Sequence, residues 1–157
     1  MCRYEHFGLE IYEEYAYGIP IKSPGCRLGS CWCQKNQAYP CIRLYDTEEH
    51  EIGKVELTSK TGMGTYTMSL DGKKLGTLTR KMSVKIKMDL SFNGWHLDGN
   101  LMQSNFVVTD KNGNQVMKFN NAFSSRDTYV LEMNNREHEI LGLLLVMAVE
   151  IALHGND

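Results

Sequence analysis

The stretch from Glu139 to His154, EILGLLLVMAVEIALH, limits what this chain can fold into more than any other part of it. Between its two ends only Glu150 is polar. A helix on a protein surface carries an apolar stripe and a polar one, so a helix of this composition is enclosed on all sides. It is shorter than the roughly 20 apolar residues that a membrane span requires. Everything before it reads as short strands and turns. A single apolar helix at the end of an otherwise β chain must be surrounded by sheet, and the expectation is a barrel with the helix as its core.

The strand signals are local. Val84, Ile86, Met88, Leu90 and Phe92 alternate with Lys85, Lys87, Asp89, Ser91 and Asn93, a period of two that puts one face in the core and the other in water. Asp71-Gly72 and Asp98-Gly99 lie between apolar runs and read as tight hairpin turns, because glycine accepts positive φ. Asp110 to Asn114 reads as a longer hairpin loop. Tyr129, Leu131 and Met133 alternate until Asn134-Asn135 stops the strand. Asn135 then suits an N-cap, and Glu137 and Glu139 suit the positive end of a helix dipole. His154 and Gly155 form a conventional stop.

An internal repeat runs through these signals. Ile42–Val55 (IRLYDTEEHEIGKV) lies over Phe106–Phe119 (FVVTDKNGNQVMKF) without a gap at an offset of 64. Asp46 meets Asp110, and Lys54 meets Lys118. Gly64–Gly72 then lies over Asp127–Asn135 at an offset of 63, with Thr65-Tyr66 on Thr128-Tyr129. Two units are too few for a solenoid. Two related half-sheets facing one another would make a barrel without free edges.

The order of these motifs resembles the LURP-one-related family, and its bacterial YxjI-like members in particular. The residues that carry the resemblance are Asp110, Gly113-Asn114, Val116, Asp127-Thr128-Tyr129 and the helix with Glu150, together with Tyr66–Ser83 and the Gly94–Asn100 run. It covers Ala38 to His154. The resemblance implies a tubby C-terminal-like fold: mainly β, a closed antiparallel barrel of about twelve strands filled by a hydrophobic C-terminal α-helix. Relatives with that fold include tubby domains, which bind phosphoinositide headgroups, and phospholipid scramblases. By fold-level analogy it therefore implies contact with membrane lipid. The chain departs from the family in two places. Residues 1–35 are rich in Gly, Tyr and Cys and lack the usual D-x-x-G hairpin, and the helix carries Glu150 where an Asp is expected.

Bulk composition narrows the function classes. A chain of 157 residues is read as one domain, 1–157, with 1–35 its atypical segment. A net charge of -2 argues against a nucleic-acid partner. The first residues hold Glu5, Glu10, Glu13 and Glu14 and no long apolar run, unlike a secretory leader. A cytoplasmic protein is therefore expected, free or peripheral at a membrane. The five cysteines are then expected to be reduced.

Charge is uneven, however. Lys54 to Asp89 holds eight basic residues against three acidic ones, whereas the flanking parts are acidic. Lys73, Lys74, Arg80, Lys81, Lys85 and Lys87 fall within fifteen positions. Such a cluster can hold phosphate or anionic headgroups, or it can be the wet outer face of a strand. No aromatic residue interleaves within it, so base stacking is unsupported.

Other candidates are weaker. Cys26, Cys31, Cys33 and Cys41 lack the paired C-x2-4-C knuckles of a zinc site, and although His6 or His50 could add a ligand nothing requires it, so no metal and no cofactor are expected. Glu150 is read as a buried structural carboxylate, because a buried charge demands a partner. His96 and Asp98 read as turn chemistry. Gly62-Met63-Gly64 is not a phosphate loop, since neither G-K-[ST] nor a helix follows. The sequence points to a non-enzymatic binding protein. Its partner is an anionic lipid surface or, alternatively, a protein met by a soluble interaction or structural module.

Overall fold

The apolar C-terminal stretch forms one helix, α1 (Glu139–His154), in a computed structural model. The structure describes residues 2–4, 10–12, 16–20, 28–34, 41–46, 48–81, 87–103, 105–121 and 129–154. Every residue of α1 from Gly142 to Val149 is buried, as are Ile151 and Ala152. Each large side chain so enclosed stabilises the fold by about 1.5–3 kcal/mol. Asn135 caps the entry, as expected. Its Oδ1 accepts the Glu137 N–H at 3.0 Å, which opens a short 3-10 turn, Arg136–His138, leading into α1.

Thirteen strands precede the helix among the described residues: β1 (Cys2–Tyr4), β2 (Glu10–Tyr12), β3 (Ala16–Pro20), β4 (Leu28–Gln34), β5 (Cys41–Asp46), β6 (Glu51–Ser59), β7 (Thr65–Leu70), β8 (Lys73–Lys81), β9 (Lys87–Ser91), β10 (His96–Asn100), β11 (Asn105–Thr109), β12 (Gln115–Asn121) and β13 (Tyr129–Met133). They make two antiparallel sheets. One has eight strands, β2 to β9 in chain order. The other has five, in the order β1-β13-β12-β11-β10.

The atypical N-terminal segment therefore contributes four strands despite its missing hairpin signal. Three of them extend the larger sheet, and β1 crosses to pair with β13, Cys2 opposite Met133. A pairing between distant parts of the chain leaves no local pattern for a sequence reading to find.

The repeat is carried into the hydrogen-bond register. In β5–β6, Ile42 opposes Val55, Leu44 opposes Gly53, and a bulge falls between Leu44 and Tyr45. In β11–β12, Phe106 opposes Phe119, Val108 opposes Met117, and the bulge falls between Val108 and Thr109. The third strands agree too: Gly53 faces Leu70 in one unit, and Met117 faces Met133 in the other.

The turns match as well. Asp46 Oδ1 accepts the N–H groups of Glu48 and His50 at 2.8 and 2.9 Å, and Asp110 Oδ1 accepts those of Asn112 and Asn114 at the same two distances. These bonds hold both carboxyls below the usual carboxylate range. The His50 backbone bond leads at Asp46, and the Asn114 side chain leads at Asp110.

The helix sits between the units by exchange of bulk. A Cβ at Gly53 would lie 2.8 Å from Leu144 Cδ2, so the sheet makes room for the helix there. At the equivalent place in the second unit the sheet carries Met117 and the helix makes room: a Cβ at Gly142 would lie 2.6 Å from Met133 Sδ and 3.2 Å from Met117 Sδ.

Of the two expected aspartate-glycine turns, only one forms. Asp71-Gly72 joins β7 to β8 with φ of 48° and 73°, a type I′ turn. Asp98-Gly99 does not turn; it lies inside β10, where Asp98 opposes Val107. The turn falls at Asn93-Gly94, φ 51° and 67°, closed by the Trp95 N–H on the Phe92 carbonyl at 2.9 Å. Gly99 serves instead as a close approach, since a Cβ there would meet the Asn105 carbonyl at 2.6 Å. The strand expected over Val84–Asn93 is seen as β9, with Met88 buried between exposed Lys87 and Asp89; Val84, Lys85 and Ile86 lie outside the described residues.

Two stability outcomes follow. Glu49 holds φ 64° where the second unit has Gly113 at φ 84°. A left-handed non-glycine residue costs roughly 1–2 kcal/mol, so Glu49→Gly should raise the urea midpoint, worth about 1 kcal/mol after glycine's added chain entropy; an unchanged or lower midpoint would refute this. A Cβ at Gly76 would lie 2.1 Å from the Ser91 backbone carbonyl, whereas at Gly142 it meets only flexible methionine side chains. Gly76→Ala should therefore destabilise by more than the roughly 1–3 kcal/mol of ordinary overpacking, and Gly142→Ala by less than Gly76→Ala. The reverse order in urea denaturation would contradict the packing argument.

Candidate functional site

The basic residues that are contiguous in sequence do not form one patch. Lys73 and Lys74 open β8 and Lys81 closes it. Eight steps at roughly 3.3 Å put these ends about 26 Å apart. Lys73 and Lys74 are exposed beside acidic turns. The Asp71 N–H bonds the Ile52 carbonyl at 2.9 Å, which brings the β7–β8 turn to the β5–β6 side, where Asp46, Glu48 and Glu49 lie.

At the other end, Lys81 and Lys87 oppose each other across β8–β9, and both are exposed. The Arg80 N–H bonds the Gly64 carbonyl at 3.1 Å, which ties the loop holding Lys60 and Met63 to the same end. Lys60 is exposed, and Met63 is the large apolar residue that stands exposed among those described, at 36%. Lys81 Nζ also pairs with Asp89, an exposed pair of small energetic weight. Lys85 lies outside the described residues.

Arg80 belongs to the helix rather than to the surface. It is half-buried, and its Nη1 donates to the Ala152 carbonyl at 2.9 Å. The last carbonyls of a helix carry partial negative charge and have no partner within the helix, so a guanidinium there satisfies both needs. Alternation predicts this: in β8, Leu78 is fully buried, and Arg80 two positions on shares its face. Counting basic residues alone hides it.

Close by, Tyr66 is fully buried with a hydroxyl that has no hydrogen-bond partner among the described residues. Burial pushes its phenol up, with the Arg80 charge acting in the opposite direction.

The remaining candidates separate in space. Cys41 is a free, buried thiol that desolvation pushes above its ordinary range. A thiol so placed is a poor nucleophile and ligand. Cys31 and Cys33 belong to β4, while Cys26 and His6 lie outside the described residues. His50 sits at the far end of β5 from Cys41, 3.4 Å from Asp46 Oδ2. Among the described residues no group of His, Cys, Asp and Glu could hold a metal ion.

Glu150 is half-buried rather than enclosed, and neighbouring groups engage it. It shares the side of the last helical turns with half-buried Leu153, where the sheets leave α1 partly open. His96 and Asp98 are exposed on one face of β10, in a strand and not in a turn. No helix among the described residues is long and apolar enough to cross a membrane.

A groove of about 520 Å³, which the sequence reading missed, lies between β9 and β10. Met88 to Ser91 line one side and Trp95 to Leu97 the other, with Thr77 and Thr79 beside them. Its closed end is the Phe92–Trp95 turn, where the two rings pack edge to face at 5.0 Å and His138 also meets Trp95 edge to face, at 5.4 Å. The available signal was Asn93-Gly94, a hairpin dipeptide five residues before Asp98-Gly99.

Two antiparallel sheets packed on one buried C-terminal helix define the class: a mainly β, helix-enclosing protein. A family model described as LURP-one-related matches residues 31–150, and the chain belongs to that family. The fold is also similar to an X-ray structure of a protein from Arabidopsis thaliana, with a TM-score of 0.59 and 11% identity over 96% of this chain and 90% of that one. At such identity the likeness concerns the fold alone. No curated protein matches the sequence.

The two neighbours at the helix end make opposite predictions. Arg80→Gln removes a charged hydrogen bond and should cost about 1.5–3 kcal/mol. Tyr66→Phe removes a hydroxyl that makes no bond among the described residues and should be neutral or stabilising. Urea unfolding of both variants checks this; a Tyr66→Phe loss as large as that of Arg80→Gln would show that the phenol has a partner.

Proposed function

We propose that this protein is a non-enzymatic binding module that meets anionic phospholipid or phosphoinositide headgroups with one end of its larger sheet. One observation carries the reading: Lys60, Lys81, Lys87 and the exposed Met63 gather at the same end. Arg80 there places a cation against the helix terminus, donating to the Ala152 carbonyl, which reduces the negative charge that would offset the lysines. Each lysine near an anionic membrane is worth about 1 kcal/mol, and an apolar residue among them can enter the headgroup layer. Lys73 and Lys74, beside acidic turns at the opposite end, take no part.

The reading includes a cytoplasmic, peripheral location. It also includes the finer fold assignment: the two sheets wrap α1 as one tubby C-terminal-like barrel, parted between β9 and β10, of the YxjI-like kind within the family. Contacts of α1 with both sheets support this.

Flotation of the full chain with neutral and anionic vesicles across a salt series tests the reading. Binding should require anionic lipid and fade with salt. Lys81→Glu with Lys87→Glu should lower the partition coefficient by more than about tenfold, and Lys73→Glu with Lys74→Glu should leave it nearly unchanged. No binding at low salt, or equal losses for the two pairs, would overturn the proposal.

A further inference from the structure

The two sheets meet at β9 and β10, which are consecutive strands joined by a tight turn and yet part beyond it. After the Trp95–Phe92 bond no ladder joins them among the described residues; β9 pairs with β8, and β10 pairs with β11. The groove between them is lined by consecutive residues, Met88 to Ser91 and Trp95 to Leu97. Side chains alternate along a strand, so a space bordered by consecutive residues is bordered by the strand's edge. An edge presents backbone N–H and C=O groups, and the group that complements such a row is another extended backbone.

We propose that this groove binds an extended peptide as an added strand. The side chains beside it sort those of the occupant. Met88, Leu90 and Leu97 are buried or half-buried and suit apolar residues, and the hydroxyls of Thr77, Thr79 and Ser91 suit polar ones at alternate positions. The open end carries Lys81 and Lys87 against the single carboxylate of Asp89, so an acidic residue is favoured there. A strand of five residues spans about 16 Å, and the occupant is a segment of about that length. The sheets themselves use the same alternation, and a peptide of that pattern continues them. Binding of this kind needs no membrane and stands apart from the headgroup reading.

The probe is the acetylated, amidated peptide Glu-Val-Thr-Val-Thr-Val-Glu, added to the full chain in solution. Amide hydrogen exchange over Met88–Ser91 should slow by about tenfold or more at saturation. The same peptide methylated on alternate backbone nitrogens should fail to bind, because it has lost the donors of the ladder. Lys87→Glu should weaken the acidic peptide several-fold and leave the version with Thr at both ends unaffected. That pair of results separates the groove from the vesicle surface, for which Lys87→Glu weakens binding outright.

Three results would overturn the proposal: no saturable binding at millimolar peptide, equal binding of the methylated peptide, or full protection of Met88–Ser91 amides without any peptide. The last would mean that β9 and β10 close on each other in solution.

Discussion

The structure depends on enclosing a helix that has no polar side. Gly142 to Val149 cannot be left against water on any face, so neither sheet alone suffices. The contacts show how the sheets divide the task. Where the larger sheet meets the helix it carries Gly53, and Leu144 fills the space. At the register-equivalent position the smaller sheet carries Met117, and the helix retreats to Gly142. Two units with the same ladder would crowd a uniform helix from both sides. Swapping large for small across each contact keeps the interior dense without overpacking.

The same ladder therefore serves two ends. In the first unit the third strand is followed by a turn and β8, which extends the sheet. In the second it is followed by Asn134-Asn135, whose amide and carbonyl groups stop the strand and begin the helix. Asn134 Nδ2 bonds the Gln115 carbonyl and its N–H bonds the Val116 carbonyl, so the chain is held to β12 as it leaves β13. The divergence between strand continuation at Asp71-Gly72 and helix entry at Asn134-Asn135 turns a duplicated sheet into one that holds its own core. Glu49, strained where Gly113 is relaxed, is a further place where the two units differ.

What a sequence reading can recover follows the range of the interactions. The helix bounds, its cap and the Asp71-Gly72 turn rest on neighbours a few positions apart, and each is seen; the repeat, at an offset of 64, is legible because each of its units is itself a run of local signals. The Asp98-Gly99 reading failed because two turn dipeptides lie five residues apart. Carrying the alternation of Val84 to Phe92 on through Asn93 left the second dipeptide to make the turn. The pairing of β1 with β13 joins positions more than a hundred residues apart, and no local pattern announces it. The candidate site suffered most. Six basic residues within fifteen positions look like one cluster, but β8 is long enough to put Lys73 and Lys74 at one end and Lys81, opposite Lys87 of β9, at the other, and the inward phase of the strand assigns Arg80 to the helix.

The distribution of charge then has a structural origin. The β5–β6 and β7–β8 turns are built from Asp46 and Asp71, because short acidic side chains accept backbone bonds and tolerate positive φ. That end is acidic for reasons of turn formation. The opposite end receives the negative terminus of α1, which calls for a cation, and Arg80 supplies it from within. Lys81 and Lys87 lie beyond what either need explains. They face each other directly across β8–β9, an arrangement that repels and that the Asp89 carboxylate offsets only in part. On the reading proposed above, an anionic surface would relieve this repulsion, which the fold itself leaves only partly offset.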